Sequence, residues 1–550
     1  MSSLKLPSAP NAGLFKQGYT SHQSEDGIVH RNIQAVREIA SMVRTSVGPS
    51  GRNKIVVNHL QKIFLTSDAG TILRELDIVH PVVKVIVMAS QQQEAEMGDA
   101  SNLVVVLAGE LLNQAEELVR IGMSTAEIVQ GYELALKYAL EALDKQQLTE
   151  IDDIADRKQL ARILQPVIAA KQHGIEDLLA EHVADAVSYV LPKDPKKFNV
   201  DNVRVVKIMG SSIESSMVIK GMVFNSEPEG SVKRATNAKV AVFTCPVDIS
   251  QTETKGTVLL HNAKEMLDFS KGEETQVEDM VKELVENSGV KVIIAGGGIG
   301  ALALHYLNRY GVLVFKVGSK FDLQRLCRVT GAAPIPRLGA PTADELGLID
   351  LIETEEIGGD RVTVFKQEDT TTRTATIVLR GATQNMLDDV ERAVDDGVNA
   401  VKALTKNSSV VPGAGASEID IAEAVVAQGE RTSGTLQYAI KKFGLAFEVI
   451  PRTLAENAGL DTVEVISKLY ALHSRGVPAG VDINFEDTAA KTGTLNTKEN
   501  GIFDIYLAKR SAIELATTAA CTVLNVDQII MAKRAGGPQI PQQRADWDQD

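Results

Sequence analysis

The sequence has few cysteines, few aromatic residues and no long uncharged apolar run. Its three cysteines, Cys245, Cys327 and Cys521, are odd in number and far apart, which argues against a disulfide framework or a zinc site and predicts reduced thiols. The apolar run at 82–88 is short and is interrupted by a lysine, so no membrane-spanning segment is predicted. Because residues 1–12 lack a charged start followed by an apolar core, we expect no secretory signal and a cytoplasmic protein.

Positive charge is scarce as well, because 57 lysines and arginines face 72 aspartates and glutamates and leave a net charge of −15. No basic block stands out against this balance, so a nucleic-acid-binding surface is not expected. The apolar share of 44% is that of a globular protein. At 550 residues the chain is too long for one hydrophobic core, and we expect roughly two to four domains.

Apolar periodicity predicts an order of helical, mixed and helical segments along the chain. Helices are predicted at 28–47, 81–96, 100–119, 125–143 and 385–404, and a hairpin at 54–57 and 63–66. Short β-branched runs predict strands at 240–245, 290–295, 312–317, 362–366 and 374–379, with helices at 301–309 and 321–329 between some of them. This order is that of an α/β domain inserted into a helical base.

Four short segments that carry glycine or aspartate lie in two distant parts of the chain, at 48–54, 66–71, 97–102 and 412–418. Glycine lets backbone N–H groups approach a phosphate closely, and carboxylates hold the Mg²⁺ that accompanies it. Each early segment also has a structural explanation: a helix C-cap and turn at 48–54, a turn at Asp68 and a helix N-cap at Asp99. If the four segments form one site, the chain must leave that domain and come back.

Asp396 and the segment 296–301 each allow two interpretations. On the helix at 385–404, Asp396 lies off the apolar stripe, which favours a solvated acidic face over a carboxylate that polarises a water for attack on a phosphate. The segment 296–301, between a strand and a helix, resembles a dinucleotide-binding fingerprint. The acid expected about 20 residues further on is missing, so a tight strand–helix turn is the preferred interpretation, and a dinucleotide-dependent enzyme is the alternative.

Longer segments of the sequence resemble the group II chaperonins, from about residue 6 to the tail. They include HRNIQAVREIA (30–40), ILRELDIVHP (72–81), CPVDISQTETKGTVL (245–259), ERAVDDGVN (391–399) and VDQIIMAKRAGGP (526–538). The resemblance implies a multidomain α+β fold with a helical equatorial domain at 1–150 and 410–550, a small intermediate hinge domain at 151–213 and 374–409, and an α/β apical domain at 214–373. It also implies a helical protrusion at about 252–281, and the tail at 535–550 is expected to be disordered.

The same resemblance implies a function in ATP-dependent protein folding. ATP or ADP with Mg²⁺ would bind the equatorial domain, and hydrolysis would drive closure of a chamber around non-native polypeptides such as actin and tubulin. The implied partners are the other subunits of a hetero-oligomeric double ring of eight-membered rings, whereas nucleic acid and membranes are not expected. The alternative is a subunit for assembly and substrate contact, with weak or absent ATP hydrolysis.

Residue by residue, the resemblance assigns Asp68 and Asp396 to the positioning of the attacking water and Asp99 to Mg²⁺. It assigns to nucleotide binding Gly48, Pro49, Gly51, Lys54, Ala69, Gly70, Thr71, Ala100, Ser101, Asn102, Lys171, Gly413, Ala414, Gly415 and Asp504. It assigns to substrate contact Lys320, Arg325 and Arg328. A solvated amphipathic helix explains these last three residues equally well.

The sequence departs from the family pattern in several of these segments. Ala100 stands where the pattern has glycine, and apolar residues at 166–170 replace a Ser/Thr-rich stretch before Lys171. The extra methyl group of Ala100 lies where the backbone is expected to meet phosphate, so weaker nucleotide binding is predicted. All three candidate carboxylates remain, so binding should weaken before the chemistry is abolished.

Overall fold

The computed structural model describes residues 20–22, 27–149, 153–248, 262–367, 374–484 and 493–531. The predicted order of helical, mixed and helical segments is confirmed within these ranges. The tail at 535–550 lies outside the described residues, and the predicted protrusion at 252–281 is described only from residue 262 onward. No helix among the described residues is both long and apolar enough to cross a membrane.

The first part of the chain is helical apart from short strands. Its elements are β1 (Thr20–His22), α1 (Ile28–Arg44), β2 (Lys54–Val57), β3 (Ile63–Thr66), α2 (Ala69–Glu75), α3 (Pro81–Glu96), α4 (Ser101–Ile121) and α5 (Thr125–Lys145). The break between α4 and α5 follows from local chemistry. Gly122 ends α4 with a φ of 99°, and Ser124 with Glu127 forms a capping box that starts α5.

The middle of the chain forms two helices and then a mixed sheet. Its elements are α6 (Arg157–Ala169), α7 (Glu176–Val190), β4 (Val203–Met209), β5 (Met217–Phe224), β6 (Arg234–Phe243), α8 (Ala263–Lys282), β7 (Val290–Ala295), α9 (Ala301–Arg309), β8 (Leu313–Lys316), α10 (Lys320–Thr330), β9 (Pro334–Ile335), β10 (Gly347–Ile357), β11 (Asp360–Lys366), β12 (Ala375–Gly381) and α11 (Gln384–Lys406). The strands lie in the order β4-β12-β5-β11-β10-β6-β7-β8, with β9 beside β6. We call α6, α7 and α11 the joining unit and the strands with α8–α10 the sheet unit.

The chain enters and leaves the sheet unit on neighbouring strands. β4, the first strand, pairs in parallel with β12, the last one, from Val203 beside Ala375 to Met209 beside Gly381. The insertion is therefore attached at one edge by two adjacent strands. That attachment is the geometry expected of a domain inserted into a chain that continues on either side of it.

The last part of the chain is helical again. Its elements are β13 (Val410–Pro412), α12 (Ala416–Arg431), α13 (Leu436–Ala446), α14 (Val449–Asn457), α15 (Thr462–His473), β14 (Ala479–Val481), β15 (Thr494–Asn496), α16 (Thr497–Asn500), β16 (Phe503–Ile505), α17 (Tyr506–Leu524) and β17 (Ile529–Met531). Together with the first part it makes one helical unit. Its core buries Ile33 and Tyr132 from the early helices against Phe443 and Ile513 from the late ones, and β17 pairs with β1.

Several strands of the sheet differ from the sequence predictions, since β4, β5, β9 and β10 were not among the predicted strands and β6 is longer than predicted. β6 begins at Arg234 instead of residue 240, because its first half is polar and exposed and is held by pairing with β10. β10 was not predicted, since the acidic residues in its second half interrupt the apolar alternation. In both strands, backbone pairing with a neighbour overrides a weak local pattern.

His473, the last residue of α15, is a buried charged group in the helical unit. Its Nδ1 lies 2.5 Å from Asp420 Oδ1 and its Nε2 lies 2.7 Å from the Ala479 carbonyl oxygen. Both neighbours accept hydrogen bonds, so the ring donates from both nitrogens and carries a proton on each. Burial lowers the pKa of His473, but Asp420, the Ala479 carbonyl and Glu423 outweigh it and raise the pKa above its usual value.

We expect the stability of the helical unit to fall as the pH rises through the raised pKa of His473. A histidine whose pKa is higher in the folded state contributes fully below its unfolded value of about 6.5 and loses that contribution as the pH rises. Thermal unfolding followed by circular dichroism from about pH 6 to about pH 9 measures the slope. The variant Asp420→Asn should flatten it, and an equally steep slope in that variant would contradict the assignment.

Candidate functional site

Two cavities lie where the helical unit and the joining unit face each other, and β4 and α10 of the sheet unit also line the second one. The first has a volume of about 440 Å³ and the second about 590 Å³, and both are in the usual range for ligand pockets of about 300–1,000 Å³. Lys171, just after α6, lines both of them. Lys171 therefore separates the two cavities at the contact between the helical unit and the joining unit.

Many of the predicted nucleotide-binding residues line the first cavity. They are Gly48, Pro49, Asp99, Ala100, Ser101, Asn102, Lys171, Ala414, Gly415 and Asp504. The early and late segments of the chain are thus brought together, as the hypothesis of one site required. Asp68, Thr71 and Asp396 line the second cavity.

The first cavity has two helix N-termini in its wall that no side chain caps. Ala100 precedes α4 with a φ of 64°, and Gly415 precedes α12 with a φ of 82°. Helix N-termini carry backbone N–H groups without partners inside the helix and a partial positive charge, so both ends suit an anion. The N-cap interpretation of Asp99 is wrong, since Ala100 holds that position and Asp99 Oδ1 accepts a hydrogen bond of 2.6 Å from the Ala100 N–H.

Asp68 both caps a helix and belongs to the site. Its Oδ2 accepts hydrogen bonds of 2.8 Å from the backbone N–H and the hydroxyl of Thr71, which caps α2. Its Oδ1 accepts from Ser101 Oγ at 3.0 Å and from Lys171 Nζ at 3.1 Å. Burial opposes ionisation of this carboxyl, but Lys171 and the Thr71 hydrogen bonds outweigh it and hold its pKa well below the usual range.

Lys171 joins the two units through a buried ion pair. Its ammonium contacts Asp396 of α11 as well as Asp68 of the helical unit. Burial disfavours the charged lysine, but the carboxylates of Asp396 and Asp68 outweigh that effect and raise its pKa. Burial, with the charges of Asp99 and Asp68, raises the pKa of Asp396, and Lys171 opposes that rise.

Asp396 is buried, with 7% of its surface exposed, so the solvated acidic face proposed for it is wrong. Its position on α11 does lie off the apolar stripe, as the helical period indicates. The structure covers that side too, because α11 lies against β3 and α17 of the helical unit as well as against α6 and α7. A carboxylate buried between two units belongs to a site more often than to a surface.

The carboxylates here fit a magnesium ion that a ligand helps to hold. No group of three histidine, cysteine, aspartate or glutamate side chains among the described residues could hold a metal by itself. Mg²⁺ usually takes one or two carboxylates together with phosphate oxygens and water. Asp99 could supply one such carboxylate. Burial and the charges of Asp504 and Asp68 raise the pKa of Asp99, against the Ala100 N–H and Lys171, so its negative charge is not fully balanced.

Five predicted nucleotide-binding residues line neither cavity: Gly51, Lys54, Ala69, Gly70 and Gly413. At Gly51 and Gly70 the absence of a side chain allows neighbouring atoms to pack closely. A β-carbon at Gly51 would lie 2.6 Å from the Ser46 carbonyl oxygen, and one at Gly70 would lie 2.3 Å from Glu94 Oε2. The Ala69 N–H donates to Asn102 Oδ1 at 2.7 Å, and Lys54 donates to the Thr45 hydroxyl.

Two of the three residues predicted for substrate contact are engaged within the chain. Arg325 donates to the Asp201 carbonyl oxygen at 3.0 Å, and Arg328 donates to Asn202 Oδ1 at 3.0 Å. These bonds tie α10 to the segment before β4. Lys320 is exposed at the start of α10, next to Phe321, whose surface is 74% exposed.

The segment 296–301 forms a tight turn between β7 and α9, as preferred above. A β-carbon at Gly297 would lie 2.8 Å from the Pro246 nitrogen, and one at Gly300 would lie 2.8 Å from the Asp248 carboxyl group. Its glycines therefore allow close packing with the segment after β6. Neither of the two cavities includes this turn.

Sequence reasoning assigned no role to several charged residues in the wall of the first cavity, and two of them, Glu418 and Lys509, contact each other. Both are buried. Glu418 is in the first turn of α12 and Lys509 is on the first turn of α17, in a run that is otherwise rich in alanine and apolar residues. Glu418 is the last residue of the predicted segment 412–418, and the signal for Lys509 was a lysine inside an apolar helix face.

Comparison with known proteins gives long matches. The sequence profile of the TCP-1/cpn60 chaperonin family matches residues 39–534. The chain is 58% identical to T-complex protein 1 subunit theta of Saccharomyces cerevisiae and 56% identical to the probable subunit theta of Schizosaccharomyces pombe, over 100% of both chains in each case. It is 49% identical to subunit theta of Homo sapiens, over 100% of this chain and 99% of that protein.

We expect Ala100→Gly to stabilise the helical unit. The φ of 64° at Ala100 is strained for a residue with a β-carbon, and relief should raise the free energy of unfolding by about 1 kcal/mol. Urea unfolding of the purified chain measures the change. The control Ala471→Gly, at an exposed position inside α15, should lower the free energy of unfolding by about 0.5–1 kcal/mol. An equal decrease in both variants would refute the strain at Ala100.

Proposed function

Because the chain belongs to the TCP-1/cpn60 chaperonin family, we propose that it is an ATP-dependent chaperonin subunit, in which binding and hydrolysis of ATP drive closure of a folding chamber. The observation that carries the proposal is the contact of Lys171 with both Asp68 and Asp396. It joins the unit that would hold the nucleotide to the unit that would move. The proposal is developed below from the residues of the two cavities.

ATP would bind in the first cavity. The N-termini of α4 and α12 would receive phosphate oxygens, and the turn at Gly48 and Pro49 would close the same wall. Asp99 would hold Mg²⁺, which neutralises charge on the phosphates when it is bound. Five predicted site residues that line neither cavity would support the backbone of these turns without contacting the nucleotide directly: Gly51, Lys54, Ala69, Gly70 and Gly413.

Asp68 and Asp396 would orient the water that attacks the terminal phosphate. Both carboxylates face the second cavity, so water could reach them from the side opposite the nucleotide, as in-line displacement requires. A carboxyl with a raised pKa, as burial gives Asp396, is a stronger base than an exposed aspartate once it is ionised. Asp68 is held ionised by Lys171 and Thr71 and would fix the second hydrogen bond of the water.

Lys171 would couple the nucleotide to closure. Its ammonium pairs with two carboxylates, and a terminal phosphate entering between them would offer it a third anion. A group that contacts the nucleotide only when the units are docked shifts the equilibrium toward docking by its differential affinity. The sheet unit would follow, since β4 and β12 attach it to the joining unit at one edge.

The partners follow from the family and from the relatives. The relatives described above are subunits of T-complex protein 1, so we propose that this chain also assembles with other chaperonin subunits in a hetero-oligomeric double ring of the cytoplasm. The cargo would be non-native polypeptides such as actin and tubulin. Lys320 and Phe321, which are both exposed at the start of α10, would offer surface for such contact.

A second function is a ring subunit that holds nucleotide but hydrolyses it slowly. Ala100 has a strained backbone in the wall of the first cavity, and the apolar residues Pro166, Val167, Ala169 and Ala170 line the same cavity before Lys171. Fewer hydroxyl groups near the phosphates would weaken binding. The nucleotide found in this subunit after incubation of the assembled ring with ATP distinguishes the two, because a slow subunit would retain ATP.

Asp396→Ala should lower the rate of ATP hydrolysis by this subunit by roughly 10²–10⁴-fold, the usual effect of a positioned acid or base. ATP binding should change little, because Asp396 lines the second cavity and not the first. Single-turnover hydrolysis by the assembled ring and equilibrium binding measure the two quantities. Unchanged turnover of the ATP bound to this subunit would defeat the assignment.

The matched control for that substitution is Asp395→Ala. Asp395 is the preceding residue on α11 and lines the same cavity, but it has a different orientation, and its exposed surface is larger. Its loss should leave hydrolysis within a few fold of the unaltered ring.

Ala100→Gly should also tighten nucleotide binding. Removal of the methyl group allows the backbone before α4 to approach a phosphate more closely, and several hydrogen bonds improve together. Calorimetric titration of the full-length chain with ATP and Mg²⁺ measures the dissociation constant. Equal or weaker binding would count against a phosphate at this helix start, whatever the effect on stability.

A further inference from the structure

Arg392 of α11 contacts the helical unit at a point separate from Lys171. Its Nη1 donates a hydrogen bond of 3.2 Å to the Leu65 carbonyl oxygen, and the same nitrogen lies 3.4 Å from Asp389 Oδ1. Leu65 is on β3 of the helical unit, whereas Asp389 precedes Arg392 by one turn of α11. The guanidinium group therefore joins a backbone carbonyl of one unit to a carboxylate of the other.

Asp389 holds this contact from within the joining unit. Its side chain is buried, and its Oδ2 accepts a hydrogen bond of 2.6 Å from Gln172 Nε2. Asn53 Nδ2, just before β2 of the helical unit, lies 3.5 Å from the same oxygen. Because Gln172 directly follows Lys171, the segment after α6 holds α11 at two points, which are two helical turns apart.

Asp389, Arg392 and Asp396 lie on one face of α11. Residues separated by three, four or seven positions recur on the same side of a helix, and four positions correspond to a rise of about 6 Å. Arg392 and Asp396 also line the same cavity, the second one. The contact of Arg392 with β3 is therefore one helical turn away from the carboxylate that would orient the attacking water.

The strand that Arg392 contacts leads directly to Asp68. Leu65 and Thr66 end β3, and the Asp68 backbone N–H donates a hydrogen bond of 3.1 Å to the Thr66 hydroxyl. The Asp68 side chain then caps α2. Because these local bonds fix Asp68 to the end of β3, a shift of β3 along α11 would change the spacing between Asp68 and Asp396.

Lys171 by itself would not keep that spacing once a nucleotide is bound. Under the proposed function, a terminal phosphate would compete with the two carboxylates for its ammonium group. Neither Arg392 nor its partners Asp389 and Leu65 line the first cavity, so a ligand there would leave the contact of α11 with β3 in place. That contact can hold the docked arrangement while Lys171 turns to the phosphate.

We infer that Arg392 is a positioning residue for ATP hydrolysis, which holds α11 on β3 and thereby keeps Asp396 and Asp68 at a fixed spacing. The inference rests on the proposed function, since it takes these two carboxylates to orient the attacking water. It adds a residue that contacts neither the nucleotide nor the water and acts through the docking of two units. Its loss slows hydrolysis and leaves the affinity for ATP unchanged.

The test compares hydrolysis with binding in the variant Arg392→Ala. In single-turnover hydrolysis by the assembled ring, the part of the phosphate burst that Asp396→Ala removes is the contribution of this subunit. Arg392→Ala should slow that part by about 10- to 100-fold, as expected for the loss of a hydrogen bond from a charged group. Calorimetric titration of the full-length chain with ATP and Mg²⁺ should give the same dissociation constant as for the unaltered chain.

Two further variants keep the outcome interpretable. Arg392→Ala leaves the buried Asp389 without its cation, so the double variant Arg392→Ala with Asp389→Asn removes both charges and should assemble where the single variant does not. It should be as slow as the single variant. The matched control Lys207→Met removes a cation that contacts α11 from β4, at 2.6 Å from Asp388 and 2.7 Å from Glu391, and it should leave hydrolysis within a few fold of the unaltered ring.

The outcomes separate the inference from the proposed function. Slower hydrolysis with unchanged ATP binding in either Arg392 variant, and near-normal hydrolysis in the control, is the expected result. An unchanged rate in the Arg392 variants, a parallel loss of ATP binding or an equal loss of rate in Lys207→Met would overturn the role of Arg392 and leave the proposed function standing. A phosphate burst that Asp396→Ala does not reduce would overturn both.

Discussion

The structure depends on one buried ammonium. Lys171 contacts Asp68 of the helical unit and Asp396 of α11, and these residues are far apart in the chain. A buried charge is tolerated only when it is paired, and the docked arrangement of the two units in this structure brings all three side chains together. Under the proposed function, a ligand that offers Lys171 another anion would act on that same docking, and binding in the first cavity would be linked to the position of the joining unit.

The path of the chain connects the joining unit, where Lys171 and Asp396 lie, to the sheet unit. The helical unit is closed by both ends of the chain, and its core buries early helices against late ones. The sheet unit is attached through two adjacent strands, β4 and β12, at one edge. Under the proposed function, a small change in how α11 lies on the helical unit would be carried into the sheet unit, because β12 leads directly into α11. The chaperonin fold predicted from the sequence is confirmed by the family match to residues 39–534.

Much of the local structure could be predicted because it depends on short-range patterns. The bounds predicted for the hairpin and for α3, β7 and α9 agree with the structure, since apolar periodicity and Gly or Pro signals set them. Asp396 was misjudged for a physical reason. The helical period shows which face of a helix is apolar, but it does not show that a second unit covers the polar face. β10 was missed because pairing between strands, and not composition, holds its acidic half.

The sequence by itself determined the family, the order of helical and mixed segments and most of the candidate site residues, because these depend on local patterns and on motifs of adjacent residues. Only the tertiary structure decided which of those residues share a wall: it brought Ala100 and Ala414 to one cavity and turned Gly51 and Gly70 toward close packing. It alone showed that Lys509 contacts Glu418, a pair that no short pattern connects. Burial and pairing of charge are properties of the folded chain, and the separation of these residues along the sequence hides them.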